Sequence, residues 1–76
     1  MEIKAVRMVY SPAQANTPLV NHLIREFNDL TVNILRAEVT THGGWLEASL
    51  EGTPTVIENA MAWLQDRGVE IQPLDA

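Results

Sequence analysis

The chain contains no cysteine. That excludes disulfide staples, thiolate metal sites, iron–sulfur ligation and cysteine nucleophiles, and it removes any reason to invoke an oxidising compartment. Long apolar runs are also missing. Nothing approaches the roughly 20 residues needed to span a bilayer, so direct membrane insertion is not expected. Met1-Glu2-Ile3-Lys4 lacks the basic and apolar regions of a signal peptide, and a cytoplasmic localisation is the expectation. Positive charge is scarce. Lys4, Arg7, Arg25, Arg36 and Arg67 stand against ten acidic residues, for a net charge of -5. Spread along the chain as they are, they argue against nucleic-acid binding. His22 and His42 are far apart and have no patterned carboxylates around them, so neither a metal nor another cofactor is expected. What is present is short: 76 residues, one domain (1–76) that buries about 60% of the surface its unfolded chain exposes.

The apolar residues that do occur are patterned. Ile3 to Tyr10 has strand composition, with Val6 and Met8 on the core face and Arg7 on the wetter one. Ser11-Pro12 stops it, because proline lacks the ladder N–H. Thr17-Pro18 is a helix start, Thr17 as cap and Pro18 as first helical residue. Leu19, Val20, Leu23, Ile24 and Phe27 then form one buried stripe, and Asn28-Asp29 ends the helix. A second strand runs from about Val32 to Thr40. Asn33, Leu35, Ala37 and Val39 are its more core-like set, which turns Asn33 inward, although a one-residue bulge would reverse that. Thr41-His42-Gly43-Gly44 reads as a hairpin turn. In strand three, Trp45 to Glu51, residues Leu46, Ala48 and Leu50 face in. Thr53-Pro54 repeats the helix-start chemistry, Ile57, Ala60, Met61 and Leu64 form the second stripe, and Gly68 caps its end. Val69 to Gln72 is a short last strand.

The order β-α-β-β-α-β predicts an α+β domain. Two β-α-β halves with right-handed crossovers give a four-stranded antiparallel sheet, order 4-1-3-2, with both helices on one face. This is the ferredoxin-like or ACT-like arrangement. Its open face would carry Ile3, Ala5, Val9, Ile34 and Trp45, more contiguous apolar surface than a small monomer usually shows. Strand two is also a free edge. A homo-oligomer is therefore expected, with Trp45, Ile34 and Val9 as interface residues. For Trp45 the alternative is a cross-strand packing partner for the stem of Arg7.

Thr17-Pro18-Leu19-Val20, Phe27-Asn28 and Val32-Asn33-Ile34-Leu35-Arg36-Ala37, followed by Leu50-Glu51-Gly52-Thr53-Pro54, Ala60-Met61-Ala62-Trp63-Leu64 and Gly68-Val69-Glu70-Ile71, resemble the NIL domain, named for its Asn-Ile-Leu strand. The resemblance covers nearly the whole chain. Best-known members of that family are C-terminal domains on the ATPase subunit of bacterial methionine importers. Others are fused to ferredoxin-type modules or stand alone. In the importers the domain pairs with its twin, binds methionine and inhibits transport. The resemblance implies a ligand site at Asn33, with Ile34 and Leu35 beside it. The sequence departs from the importer pattern in having no G-x-x-x-x-G-K-[ST] phosphate loop, a shorter hairpin between strands two and three, and Ser11-Pro12-Ala13 where a glycine is usual.

An enzyme is not expected. Ser11 and Ser49 have no histidine partner in sequence context. Acylphosphatase-like activity shares the fold but needs a basic loop after strand one, and residues Ser11 to Asn16 contain no cation. RNA-recognition domains share the topology but need stacked aromatics on the open face. A copper chaperone needs cysteine. The expectation is a stand-alone regulatory module that binds methionine or a sulfur-containing relative at a subunit interface and acts on a separate protein partner. The alternative is an interaction module without a ligand, in which Asn33 serves only neighbouring backbone groups.

Overall fold

The computed structural model describes residues 1–14, 18–40 and 42–74, apart from the side chain of residue 39. The expected cap Thr17 and the turn residue Thr41 lie outside the described residues. In chain order the elements are β1 (Glu2–Tyr10), α1 (Leu19–Glu26), β2 (Thr31–Thr40), β3 (Gly43–Gly52), α2 (Pro54–Asp66) and β4 (Glu70–Pro73). The strands lie in the order β2-β3-β1-β4, every neighbouring pair antiparallel. This is the expected 4-1-3-2 order read from the other edge, and the fold is α+β and ferredoxin-like.

Burial follows the alternation. Val6 and Met8 of β1 and Leu46, Ala48 and Leu50 of β3 are buried with Leu19 and Leu23 of α1 and Ile57, Ala60 and Leu64 of α2. Paired residues on adjacent strands share a face, and the register sets Val6 opposite Ala48 and Met8 opposite Leu46. This is the face the helices cover. Leu30 and Val69, not part of the expected core, are buried as well. Each sits just outside a regular element, where periodicity gives no signal.

The two helices differ in how they begin. At α2 the Thr53 hydroxyl accepts a hydrogen bond from the Val56 amide at 3.2 Å, and Pro54 is the first helical residue. At α1 the helix starts one residue later than expected, with Pro18 in the capping position and no side-chain cap. Ile24, expected in its buried stripe, is exposed. At 3.6 residues per turn it lies about 140° around the helix from Leu19, outside the ~100° stripe a two-layer packing covers. Phe27 is half-buried and meets Trp63 edge-to-face at 6.3 Å.

Two glycines are required by geometry. Gly68 ends α2 with φ of 86°, and its neighbour Val69 donates back to the Leu64 carbonyl. Gly43 has φ of 121°, and a Cβ there would stand 2.7 Å from the Tyr10 carbonyl oxygen. It opens β3 immediately after the turn. The hairpin is accordingly tighter than expected: Gly43 and Gly44 belong to the strand, and Thr40 pairs directly with Gly43.

Candidate functional site

The Asn33-Ile34-Leu35 segment lies on β2, an edge of the sheet. Its register on β3 is broken between Ile34 and Arg36, so Leu35 is an extra residue with no direct partner. This β-bulge reverses the expected facing of the first half of the strand. Val32 and Ile34 pair with Leu50 and Ala48 and share the helix-covered face, while Asn33 pairs with Ser49 and lies on the open one. Asn33 is exposed, not turned inward. Past the bulge the expected facing holds: Arg36 and Glu38 lie opposite Glu47 and Trp45 on the open face, and Ala37 lies opposite Leu46. Ile34 therefore does not join Trp45 and Val9 on the open face. It remains exposed all the same, as does Leu35, each at 53%, because the helices do not reach the free edge. Trp45 and Val9 are direct cross-strand partners, both half-buried.

The centre of the open face is polar. Glu47 is only 4% exposed, on a sheet face that no helix covers. Two arginines enclose it. Arg7, its partner on β1, donates to Oε2 through Nε at 2.9 Å and Nη2 at 2.5 Å. Arg36, its partner on β2, donates to Oε1 through Nε at 2.8 Å, with Nη2 at 2.7 Å. Both guanidiniums also lie by the Trp45 ring, 5.0 and 5.8 Å from its centre, within the ~6 Å range of cation–π attraction. The hydrogen bonds from Arg7, then those from Arg36, hold the Glu47 carboxyl below its ordinary pKa, against the opposing effect of burial. The arginine side chains stay partly in water, at 37% and 69% exposure. Their unused donors are therefore available to a further acceptor.

This triad was not legible beforehand. Arg7, Arg36 and Glu47 are 11 and 40 positions apart in sequence, and only the register unites them. The signal was present in weak form: a glutamate alternating outward in the central strand, with an arginine outward on β1.

Other chemistry is sparse. His22 and His42 are exposed. Among the described residues no three or more His, Cys, Asp or Glu side chains are grouped to hold a metal, and no described helix is long and apolar enough to cross a membrane. On the first loop, Ser11 donates to the Gln14 carboxamide oxygen, and the Gln14 amide donates to the Arg67 carbonyl at the end of α2. The loop is thereby fastened to the C-terminus of the second helix.

The protein is thus a small ferredoxin-like module whose Asn-Ile-Leu segment lies at an open sheet edge beside an Arg–Glu–Arg triad. The chain belongs to the NIL domain family, whose model matches residues 4–73. It is 33% identical over 73 residues to the methionine import ATP-binding protein MetN of Photobacterium profundum, and equally to that of Helicobacter hepaticus. Each match covers 91% of this chain but only 21% and 20% of the relative, so the chain spans about a fifth of their length. Among solved structures it is similar to the C-terminal domain of an ABC transporter ATP-binding protein from Enterococcus faecalis. There the TM-score is 0.78 at 25% identity, covering 93% of this chain and 82% of the other.

Proposed function

We propose that this domain is a non-catalytic regulatory module of the cytoplasm that binds a small amino acid, methionine or a sulfur-containing relative, between subunits of a homo-oligomer. Asn33, Ile34 and Leu35 contribute to the site, and the module acts on a separate protein, as its kinship to importer ATPases suggests. The observation that carries this reading is the position of the Asn-Ile-Leu run. Here Asn33 is exposed and two large aliphatic side chains stand half in water on a free edge strand. Such an edge invites a partner, and a polar amide beside apolar surface is the composition of a small-ligand site. A second copy would cover what this chain leaves open.

The test is thermal denaturation with a panel of amino acids, together with sedimentation at micromolar concentration. A ligand at 100 times its Kd stabilises by about 2.7 kcal/mol, several degrees for a domain of this size. A methionine-specific rise in Tm is the expected result. The exposed Ile3 beside Ala5, Val9 and Trp45 favours a second reading, an interaction surface with no small ligand. An oligomer that no amino acid stabilises decides for it, and a monomer insensitive to every amino acid overturns both.

A further inference from the structure

We infer that Arg36 is the residue that receives the ligand's carboxylate, with Glu47 as its positioning residue. This inference rests on the amino-acid-binding reading above and assigns to that site a group beyond Asn33, Ile34 and Leu35.

The bulge is the first observation. Asn33 and Arg36 are three positions apart, and in a regular strand an odd spacing puts side chains on opposite faces. The extra residue Leu35 restores them to one face: Asn33 opposite Ser49, and Arg36 opposite Glu47. Ser49 and Glu47 are consecutive outward positions on β3. An amide, a hydroxyl and a guanidinium thus occupy neighbouring places on two adjacent strands. Strands lie ~4.8 Å apart, and same-face neighbours along a strand are separated by ~6.8 Å, a patch the size of an α-amino acid's polar end.

The second observation is how Arg36 is held. Its Nε and Nη2 are committed to Glu47, which leaves Nη1 free of that carboxylate, on a side chain 69% exposed. The guanidinium is therefore oriented before any ligand arrives, and less conformational freedom is lost on binding. Glu47 does not exhaust the charge, because Arg7 shares it.

The third observation is the local charge. Arg7 and Arg36 are met on this face by three carboxylates: Glu47, Glu38, the next outward residue on β2, opposite Trp45, and Glu51, the next outward residue on β3 after Ser49, opposite Thr31. The patch displays a cation and an anion on the same strand. That suits a zwitterion, its carboxylate on Arg36 and its ammonium toward the Asn33 amide oxygen or Glu38. It does not suit a dianion such as phosphate, which the glutamates would repel.

The test is calorimetric titration with methionine, methioninamide and inorganic phosphate, on the wild type and on Arg36→Met. Methioninamide keeps the side chain and the amine but lacks the carboxylate. The expected result is methionine binding by the wild type, with methioninamide weaker by roughly tenfold or more, the ratio lost with one charge-assisted hydrogen bond, and no heat from phosphate. Arg36→Met should weaken methionine by a similar factor and leave methioninamide unchanged, so that discrimination between the two disappears. A merely structural arginine would weaken both alike. Arg36→Met should also retain its fold, since Arg7 still pairs with Glu47, and its circular dichroism checks this. The wild-type comparison of methionine with methioninamide stands even if the variant does not fold. Methionine binding that is matched by methioninamide, or undiminished in a folded Arg36→Met, overturns the role of Arg36 and leaves the binding reading intact. Phosphate binding as tightly as methionine overturns it in favour of a general anion site. No heat from methionine or any other amino acid overturns both.

Discussion

The two faces of the sheet are built by different rules. The covered face is aliphatic, with Val6, Met8, Ala48 and Leu50 wholly buried against Leu23, Ala60 and Leu64. Its cohesion is non-directional and proportional to area, so any sequence with the right alternation and volume could supply it. The open face holds a carboxylate almost as well shielded as those leucines, yet by charge-assisted hydrogen bonds from two arginines and the flank of a tryptophan. That shielding depends on one register. Slide β1 or β2 by a residue and Glu47 loses a partner. Hydrophobic burial makes the domain fold and already disfavours a one-residue slip, which would turn the buried side chains to the open face; the polar row exists only in the pairing so kept. It also leaves partly solvated guanidiniums on the surface where function is proposed.

The contrast is broken most severely from the covered side. Leu64→Ala or Leu23→Ala should each cost about 2–5 kcal/mol, the range for emptying a buried leucine site. A stability of roughly 0.05–0.15 kcal/mol per residue leaves little after such a loss, so chemical denaturation should find much of the variant unfolded. A melting point within a degree or two of the wild type would show that the helix stripes are not the core.

The next effect is smaller and isolates one end of the helical layer. Thr53→Ala removes the hydroxyl that accepts from the Val56 amide and should cost about 1 kcal/mol, within the ~0.5–2 kcal/mol range for a lost cap. Thr53→Ser, which keeps the acceptor, should recover most of it in urea titrations. Equal losses in both variants would assign the effect to the methyl group instead.

The open face is probed by acid. The folded-state pKa of Glu47 is lowered, chiefly by Arg7 and then Arg36. A lowered pKa means that the unfolded chain binds the proton more readily. The triad's contribution is therefore fully present above the ordinary glutamate value of about 4.3. It is lost as pH falls through the lower folded-state value. Glu47→Gln should melt below the wild type at pH 7, and the gap should close as the pH is lowered toward 2. A gap of constant size across that range would mean that the carboxylate's charge is not what the arginines hold. The loss should be milder than for either leucine, since both freed arginines can return to water.

These differences also explain what was legible from sequence. The element order and ten core residues followed from periodicity, which is a local property, and the strand order followed from that element order with right-handed crossovers. Thr53-Pro54 and Gly68 were legible because caps have their own side-chain chemistry. The facing of Asn33 was not, because a single inserted residue inverts a strand's alternation and nothing in Val32-Asn33-Ile34-Leu35-Arg36 marks which residue is extra. The Arg7–Glu47–Arg36 triad was hidden for a related reason: ion pairs across strands exist only at a given register, and register is a property of pairs of strands. Leu30 and Val69 escaped because residues that plug the ends of a core belong to no repeat.

The smallest expected effect on stability is at Asn33 itself. It is exposed, opposite Ser49, on a strand edge, and surface substitutions of this kind usually fall within about ±0.5 kcal/mol. Asn33→Ala should therefore melt with the wild type while the binding proposed for it weakens by ~1–3 kcal/mol, as a buried polar group of the ligand loses its partner. The same variant thus separates two explanations of one residue. An asparagine kept for folding would move the melting curve and leave any titration unchanged. An asparagine kept for recognition would do the reverse. Measured on one preparation by melting and by calorimetric titration with methionine, a large fall in Tm with undiminished binding would return Asn33 to the scaffold. It would leave the open face to Arg36 and Trp45 alone.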